Sequence, residues 1–210
     1  MSSINIKLPS FSIGQLVAIL FVLFFSGIIS ANDNPEDLVR KTADDVLSVL
    51  KTDKDIQAGN KEKIYALAEE KILPNFDFEQ VSRLVLGKAW RSATEDQKTN
   101  FKFEFKTLLL RTYAVALGKY KDQTINYKPT RMDSADTLVT VKTEIIQDGA
   151  QPIAVNYSLA KGDNGWKVFD IIIENVSLVT NYRSQFSSEI KQNGIDSLIK
   201  KLAEKNKTNT

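Results

Sequence analysis

Apolar positions recur first at helical, then at alternating, then again at helical spacing along this chain, so it reads as helices, strands and helices in that order. After an apolar run at 13–29, a helix is predicted over 35–52. Val39, Ala43, Val46, Leu47 and Leu50 form its stripe, Pro35 suits its opening turn, and Glu36 and Asp37 face the positive end of its dipole. A polar connection at 51–60 precedes a second helix at 61–71, carrying Ile64, Leu67, Ala68 and then Ile72, which must stop before Pro74. A third at 77–86 presents Phe78, Val81, Leu84 and Val85 and ends at Gly87, which can take the left-handed cap conformation. Thr94-Glu-Asp-Gln97 reads as a capping box opening the longest helix, which continues through Phe101, Phe105, Leu108, Leu109, Thr112, Tyr113 and Ala116 to about residue 118.

Four strands are predicted next, at 124–128, 137–147, 152–161 and 166–174. In the second, Val139, Val141 and Ile145 oppose Thr140, Lys142 and Glu144. Gly162-Asp-Asn-Gly165 links the third and fourth as a hairpin, and Asp148-Gly149 helps to turn the second into the third, so an antiparallel meander is the economical topology. The fourth strand passes directly into a helix pattern with Leu178, Val179, Tyr182, Phe186 and Ile190. A break at Asn193-Gly194 and a short amphipathic helix at 195–205 follow, with a frayed tail at 206–210. The expected fold is α+β: a curved antiparallel sheet of four strands, or slightly more, wrapped by about six helices. Such a sheet is filled by its own side chains or encloses an apolar pocket, and periodicity leaves both open for the inward candidates Val139, Val141, Ile153, Val155, Tyr157, Ile171 and Ile173.

The N-terminal run follows a short segment bearing Lys7 and ends near the small residue Ala31, which reads as an export signal over 1–31, cleaved near Ala31, ahead of a single domain at 32–205. Retention as a membrane anchor is the other reading, because this almost wholly apolar run of 17 residues falls just short of a comfortable span. The chain has 210 residues, 28 basic and 26 acidic side chains, and no cysteine. Removing 1–31 takes away one lysine and no acid, so the remainder is almost neutral and no nucleic-acid partner is implied. An exported domain without disulfides must rely on its core, and without cysteine the run cannot be a lipoprotein signal. The count of zero histidines excludes Ser-His-Asp triads, Cys-His dyads and histidine zinc sites. No glycine-rich phosphate loop is present, so the residues point to a secreted binding protein and not a catalyst.

Two motif groups resemble a known family. One is Asn75-Phe-Asp-Phe78, Leu86-Gly-Lys88, Trp90-Arg91, Ala93-Thr94 and Gln97, continuing into Phe101, Phe105 and Leu110-Arg-Thr-Tyr113-Ala114. The other is Trp166, Asp170, Glu174, Val176-Ser-Leu178, Asn181-Tyr-Arg183 and Gly194-Ile-Asp196. In order and spacing these resemble the periplasmic phospholipid-binding proteins of the Mla pathway, the MlaC or toluene-tolerance family, over about 35–205. Asn175 departs from the glycine that family has after the glutamate.

The resemblance implies a monomeric periplasmic carrier, without cofactor or metal, whose cargo is a phospholipid with its acyl chains in an apolar lipid pocket. Its implied partners are an outer-membrane lipoprotein complex and an inner-membrane ABC transporter bearing MCE domains, and its implied role is keeping the outer membrane asymmetric. Two chains of about 30 methylenes in all represent roughly 24 kcal/mol of apolar burial. The cavity then belongs near the upper end of ligand sites, at about 1,000 Å³. The seven inward strand candidates are the implied acyl contacts, with Leu109 and Tyr113 from the long helix and Leu178 from the junction. Arg111 and Arg183 are candidates for the phosphate, or alternatively for pairing with Glu174 or Asp170.

Trp90, Phe101 and Arg91 could form a docking surface, and Lys88, Arg91, Lys119 and Lys121 a basic rim, although scattered lysines are the ordinary solvated face of helices. The Leu198, Ile199 and Leu202 stripe suits core closure better than a membrane surface. Two rival functions remain. One is a cone-shaped α+β enzyme with Asp170 or Glu174 as base beside Tyr157, and the other is a lipid-free envelope adaptor.

Overall fold

The computed structural model describes residues 34–120 and 122–208. The expected export segment at 1–31, Lys121 of the expected basic rim, and residues 209–210 lie outside the described residues. Among the described residues seven helices and five strands are present.

Helix α1 (Pro35–Thr52) starts where the Asn34 side chain accepts a hydrogen bond from the Glu36 amide at 2.9 Å. Its apolar face serves two cores. Leu38 and Val39 pack with Val141, Leu159, Trp166 and Val168 of the sheet, while Val46 and Leu50 pack with Ile56, Ile64, Leu67 and Ala114. The short α2 (Lys54–Gln57), capped by Asp53, turns the chain into α3 (Lys61–Leu67). The helix expected over 61–71 stays α-helical only to Leu67; Ala68–Ile72 then widens into a π turn and Leu73–Asn75 tightens into a 3-10 turn. Pro74 accounts for this, because in an α-helix its ring would meet the Glu70 carbonyl and it has no amide to donate.

Helix α4 (Phe78–Leu86) is capped by Asp77, which accepts from the Gln80 amide at 2.8 Å. A short α5 (Ala89–Ser92), not anticipated from the sequence, leads to the expected capping box of α6 (Glu95–Leu117). There Thr94 Oγ1 accepts from the Gln97 amide at 3.2 Å, and Gln97 Oε1 accepts from the Thr94 amide at 3.0 Å. Phe101 and Phe105 of α6 meet Tyr182 and Phe186 of α7 (Leu178–Thr208) with ring centroids 5.1 to 5.9 Å apart. Leu198 and Leu202 are buried in the same core.

The strands β1 (Thr124–Tyr127), β2 (Leu138–Ile146), β3 (Ile153–Gly162), β4 (Gly165–Ile173) and β5 (Val176–Ser177) form one antiparallel meander. The fifth strand corrects the expectation that β4 runs straight into a helix. Glu174 and Asn175, at φ 48° and 66°, make a two-residue turn first, and Asn175 tolerates the left-handed conformation that a tight hairpin requires. Ser158 pairs with Asp170 and Leu159 with Val168, so Phe169 is an extra residue, a bulge that reverses the alternation. Phe169 therefore reaches the α4–α6–α7 core, while Trp166, Val168, Ile171 and Ile173 share the face turned toward α1.

The expected break at Asn193-Gly194 is a kink at Gly194 (φ 83°, ψ 170°), after which the helix resumes through Thr208. The tail expected to fray from 206 is held instead. Asn206 is buried, and its amide donates to the Glu104 carbonyl and carboxylate at 2.9 and 2.6 Å. The Arg111 guanidinium donates to the Asn206 carbonyl.

Candidate lipid-binding site

Strand register collects the expected inward residues into rows across the sheet: Val139–Leu159–Val168, Val141–Tyr157–Ile171, Thr143–Val155–Ile173 and Ile125–Ile145–Ile153. Side chains alternate along a strand, so these rows share one face. Part of that face is solid core: Val141 and Leu159 are fully buried beneath Leu38 and Val39. Elsewhere the sheet and α1 do not meet, and a cavity of about 400 Å³ remains.

Helix α1 lines it with Leu38, Val39, Thr42, Ala43, Val46, Leu47 and Leu50, and the sheet with Ile125, Ile145, Ile153, Tyr157, Val168 and Ile171. Ala116, Leu117 and Tyr120 close one side, and Ile72, Asn75 and Phe76 another. Of the exposed lining residues, Gln147, Ala150, Gln151 and Ile153 gather around the β2–β3 turn, which marks the mouth, and Ala116 lies on α6. There Gln123 Nε2 donates to Gln147 Oε1 at 3.2 Å.

Two polar side chains of the wall, Thr42 and Asn75, are hydrogen-bonded within the protein. Asn75 Nδ2 donates to Thr42 Oγ1 and to the Lys71 carbonyl, each at 2.9 Å, and the Thr42 hydroxyl donates to the Leu38 carbonyl at 2.7 Å. Burial raises the Tyr157 phenol above its ordinary pKa, against the opposing effect of its hydrogen bond with Thr143. Tyr127, in register with Thr143, lies under the Arg40 guanidinium at 3.8 Å from its ring centroid. Burial, then the charge of Asp44, push its phenol up to about 12, and Arg40 acts in the other direction. The wall is thus apolar and its tyrosines are neutral.

Of the residues singled out in the sequence, Ile153, Tyr157 and Ile171 line the cavity. Val139, Val141 and Val155 share their face but lie outside the lining, Val141 and Val155 being buried, and Ile173 is half-buried beside Val155. Leu109 packs on the α4–α6–α7 core, Tyr113 is 36% exposed and hydrogen-bonded to Tyr182, and half-buried Leu178 opens α7. Neither arginine approaches the cavity: Arg111 is tied to Asn206, and Arg183 lies over Gly87. The carboxylates of the enzyme reading are engaged elsewhere. Asp170 accepts from the Ser177 hydroxyl at 2.5 Å and the Val179 amide at 3.0 Å, and Glu174 from the Ala154 amide at 2.6 Å.

The α1 wall was present in the sequence as a helical stripe, but nothing in its periodicity separated lining from core. The cavity is also less than half of the about 1,000 Å³ that two buried chains imply. Among the described residues, no group of acidic side chains could hold a metal ion and no helix is long and apolar enough to cross a membrane.

An open antiparallel sheet roofed by helices around an apolar cavity defines an α+β protein built to hold a hydrophobic ligand. The chain belongs to the MlaC protein family, whose family model matches residues 40–204. It is 25% identical over 175 residues to the intermembrane phospholipid transport system binding protein MlaC of Haemophilus influenzae, covering 82% of each chain. It is 27% identical over 167 residues to the toluene tolerance protein ttg2D of Pseudomonas putida, covering 79% of this chain and 77% of that one. A phospholipid-binding protein from Ralstonia solanacearum, solved in complex with a phospholipid, has the same fold with a TM-score of 0.79 and 37% identity, over 84% of this chain and 98% of that one.

Proposed function

We propose that this chain is a periplasmic phospholipid carrier. It is exported through its N-terminal segment and shuttles lipid between an outer-membrane lipoprotein complex and an inner-membrane MCE-domain transporter, which maintains outer-membrane asymmetry. The observation that carries this reading is the apolar cavity between α1 and the sheet, with a mouth at the β2–β3 turn, in a fold shared with a protein solved with phospholipid. Acyl chain lies against α1 and against Ile153, Tyr157 and Ile171, while the headgroup meets the glutamines at the mouth. No covalent step is needed, and the carboxylates of the rival enzyme serve a helix start and a strand edge. A carrier acts by matching the burial a chain has in the bilayer, about 0.8 kcal/mol per methylene.

Mass spectrometry of lipid extracted from the purified protein, beside a Leu47→Glu variant, tests this. Leu47 is a half-buried cavity residue on a helix that accepts glutamate. The expected result is near-stoichiometric phospholipid in the parent chain and little in the folded variant. A parent chain that carries no lipid and takes none from vesicles would overturn the reading in favour of a lipid-free adaptor.

A further inference from the structure

Four cations gather without counter-ions at one turn of the molecule, apart from the cavity. The Gly87 amide donates to the Arg83 carbonyl at 3.0 Å, the Trp90 amide to the Gly87 carbonyl at 3.3 Å and the Arg91 amide to the Lys88 carbonyl at 3.2 Å. Residues 83–91 therefore fold back on themselves where α4 passes into α5. The Arg183 guanidinium of α7 lies against Gly87, 3.2 Å from where a Cβ would stand. Arg83, Lys88, Arg91 and Arg183 are exposed, and none has an ion pair or side-chain hydrogen bond among the described residues. Of the six arginines in the chain, Arg40 pairs with Glu36 and Arg111 with Asn206. Three of the other four meet at this turn.

The helix end alone does not account for the cluster. A helix C-terminus favours cations, yet no carbonyl of α4 accepts from these four side chains, and the nearby acids are committed elsewhere. Asp77 caps α4, Glu79 pairs with Lys102 at 2.7 Å and Glu95 with Lys98 at 2.8 Å. Asp96 stands in the first turn of α6, where it meets the positive end of that helix. On α7 there is no acid from 175 through 188. The residues one turn either side of Arg183, Thr180 and Ser187, are exposed and uncharged.

The side-chain chemistry selects among anionic partners. A guanidinium meets a carboxylate with two parallel hydrogen bonds, whereas an ammonium acts as a point charge, and three of these four cations are arginines. Arg183 is seated on Gly87 before anything binds, which lowers the ordering cost of engaging it. A membrane surface draws lysine and arginine alike and is gripped by apolar side chains. The exposed large apolar side chains among the described residues are Phe103, Tyr113, Met132, Leu138, Ile153 and Val176, all outside 78–92 and 178–190.

We propose that the α4–α5 turn and Arg183 form a docking surface for an acidic protein segment, one that carries several aspartate or glutamate side chains in succession. None of the four cations lines the cavity, so a partner held here leaves the mouth at the β2–β3 turn free. The surface anchors its partner whether or not the cavity is filled.

The test is fluorescence anisotropy of the full chain with a labelled hexaglutamate peptide, beside hexaglutamine as the neutral control. The glutamate peptide binds about tenfold more tightly than the neutral one at about 0.01 M salt, and this preference shrinks toward about 0.15 M as the screening length falls from about 30 to about 8 Å. Arg91→Glu combined with Arg183→Glu abolishes the preference, and Arg183→Lys weakens it about threefold, because the charge stays and the fork is lost. Lys51→Glu combined with Lys54→Glu makes the same change in net charge at the exposed junction of α1 and α2, and leaves binding within about twofold. An equal loss in that control would mean that net charge alone is read, and would overturn the proposal. Equal binding of the two peptides would overturn it too. Binding to phosphatidylglycerol vesicles through Arg91 and Arg183, with none to the peptide, would overturn it in favour of a membrane surface.

Discussion

Asn75 Nδ2 donates to Thr42 Oγ1 at 2.9 Å, joining the turn after α3 to the α1 wall of the cavity across 33 positions of sequence. The same amide holds the Lys71 carbonyl, a group freed by the irregular turn before Pro74. Asn75 thus keeps a helix terminus satisfied and fixes a wall of the site at once. Asn75→Ala loses both bonds and is expected to lower stability by about 1–3 kcal/mol, read as a shift of the urea midpoint with unchanged slope. Thr42→Val keeps the wall's shape, leaves the Asn75 amide one acceptor short, and should lie within that range. A neutral result in both variants would mean that this contact does not hold α1.

Asp170 gives a second test because two functions compete for it. Its carboxylate accepts from Ser177 and from the Val179 amide, and the Ser177 hydroxyl in turn accepts from the Thr180 amide at 3.0 Å. These contacts satisfy amides in the first turn of α7 that have no partner within the helix. Asp170→Ala is expected to cost about 1–3 kcal/mol, and Asp170→Asn less, because its remaining oxygen still accepts from Val179. Lipid binding by either folded variant should match the parent. Loss of a turnover activity without loss of stability would instead restore the enzyme reading.

Gly87 and Arg183 form a contact that removes Arg183 from the cavity. Gly87 has φ 56° and ψ −119°, and a Cβ there would lie 3.2 Å from two guanidinium nitrogens. Gly87→Ala therefore strains the backbone and crowds a side chain, with an expected loss of about 1 kcal/mol or more. Gly87→Ala combined with Arg183→Ala recovers the crowding but not the strain. Arg183→Ala alone should leave phospholipid affinity within about twofold in vesicle titrations; a tenfold loss would return the arginine to the headgroup.

These cases divide what the sequence made legible from what it did not. Thr94 with Gln97, Asp77, and Pro35 act within one helical turn, so the starts of α1, α4 and α6 could be read locally. Alternation likewise placed Val141, Tyr157 and Ile171 on one face, because its period is set by the strand itself. Phe169 escaped, since a bulge exists only relative to the partner strand. The cavity escaped for a related reason. Tyr113 and Tyr120 lie seven residues apart near the end of α6, yet only Tyr120 meets the cavity, because the difference lies in what stands opposite. Asn175, the departure from the family pattern, shows its physical reason only in the structure, where it holds a φ of 66° in the left-handed region that asparagine tolerates.

The pH response follows from the buried tyrosines. Burial is the main cause that raises Tyr127, to about 12, and also Tyr157 and Tyr182, whereas unfolded tyrosine releases its proton near about 10. Between about 10 and the folded values the unfolded chain binds fewer protons than the native one, so stability falls as pH rises. Lys63 and Lys71 act in the same range, because Asp55 and Asp53, and Glu70, raise them; that contribution is present below the unfolded lysine value and lost above it. On the acid side Asp53, Glu95, Glu144 and Glu189 are lowered, each chiefly by a lysine partner, so their contribution is lost as pH falls through the folded values. Glu95 is exposed and the other three are half-buried ion pairs at the surface, so their effect is small. With no histidine in the chain, the interval between carboxylates and phenols holds no ordinary side-chain titration. Thermal melts should give a flat Tm from about pH 5.5 to about pH 9 and a steep fall above about pH 10. Tyr127→Phe should reduce the alkaline slope. A midpoint near neutrality would contradict this account and require a strongly shifted group elsewhere in the chain.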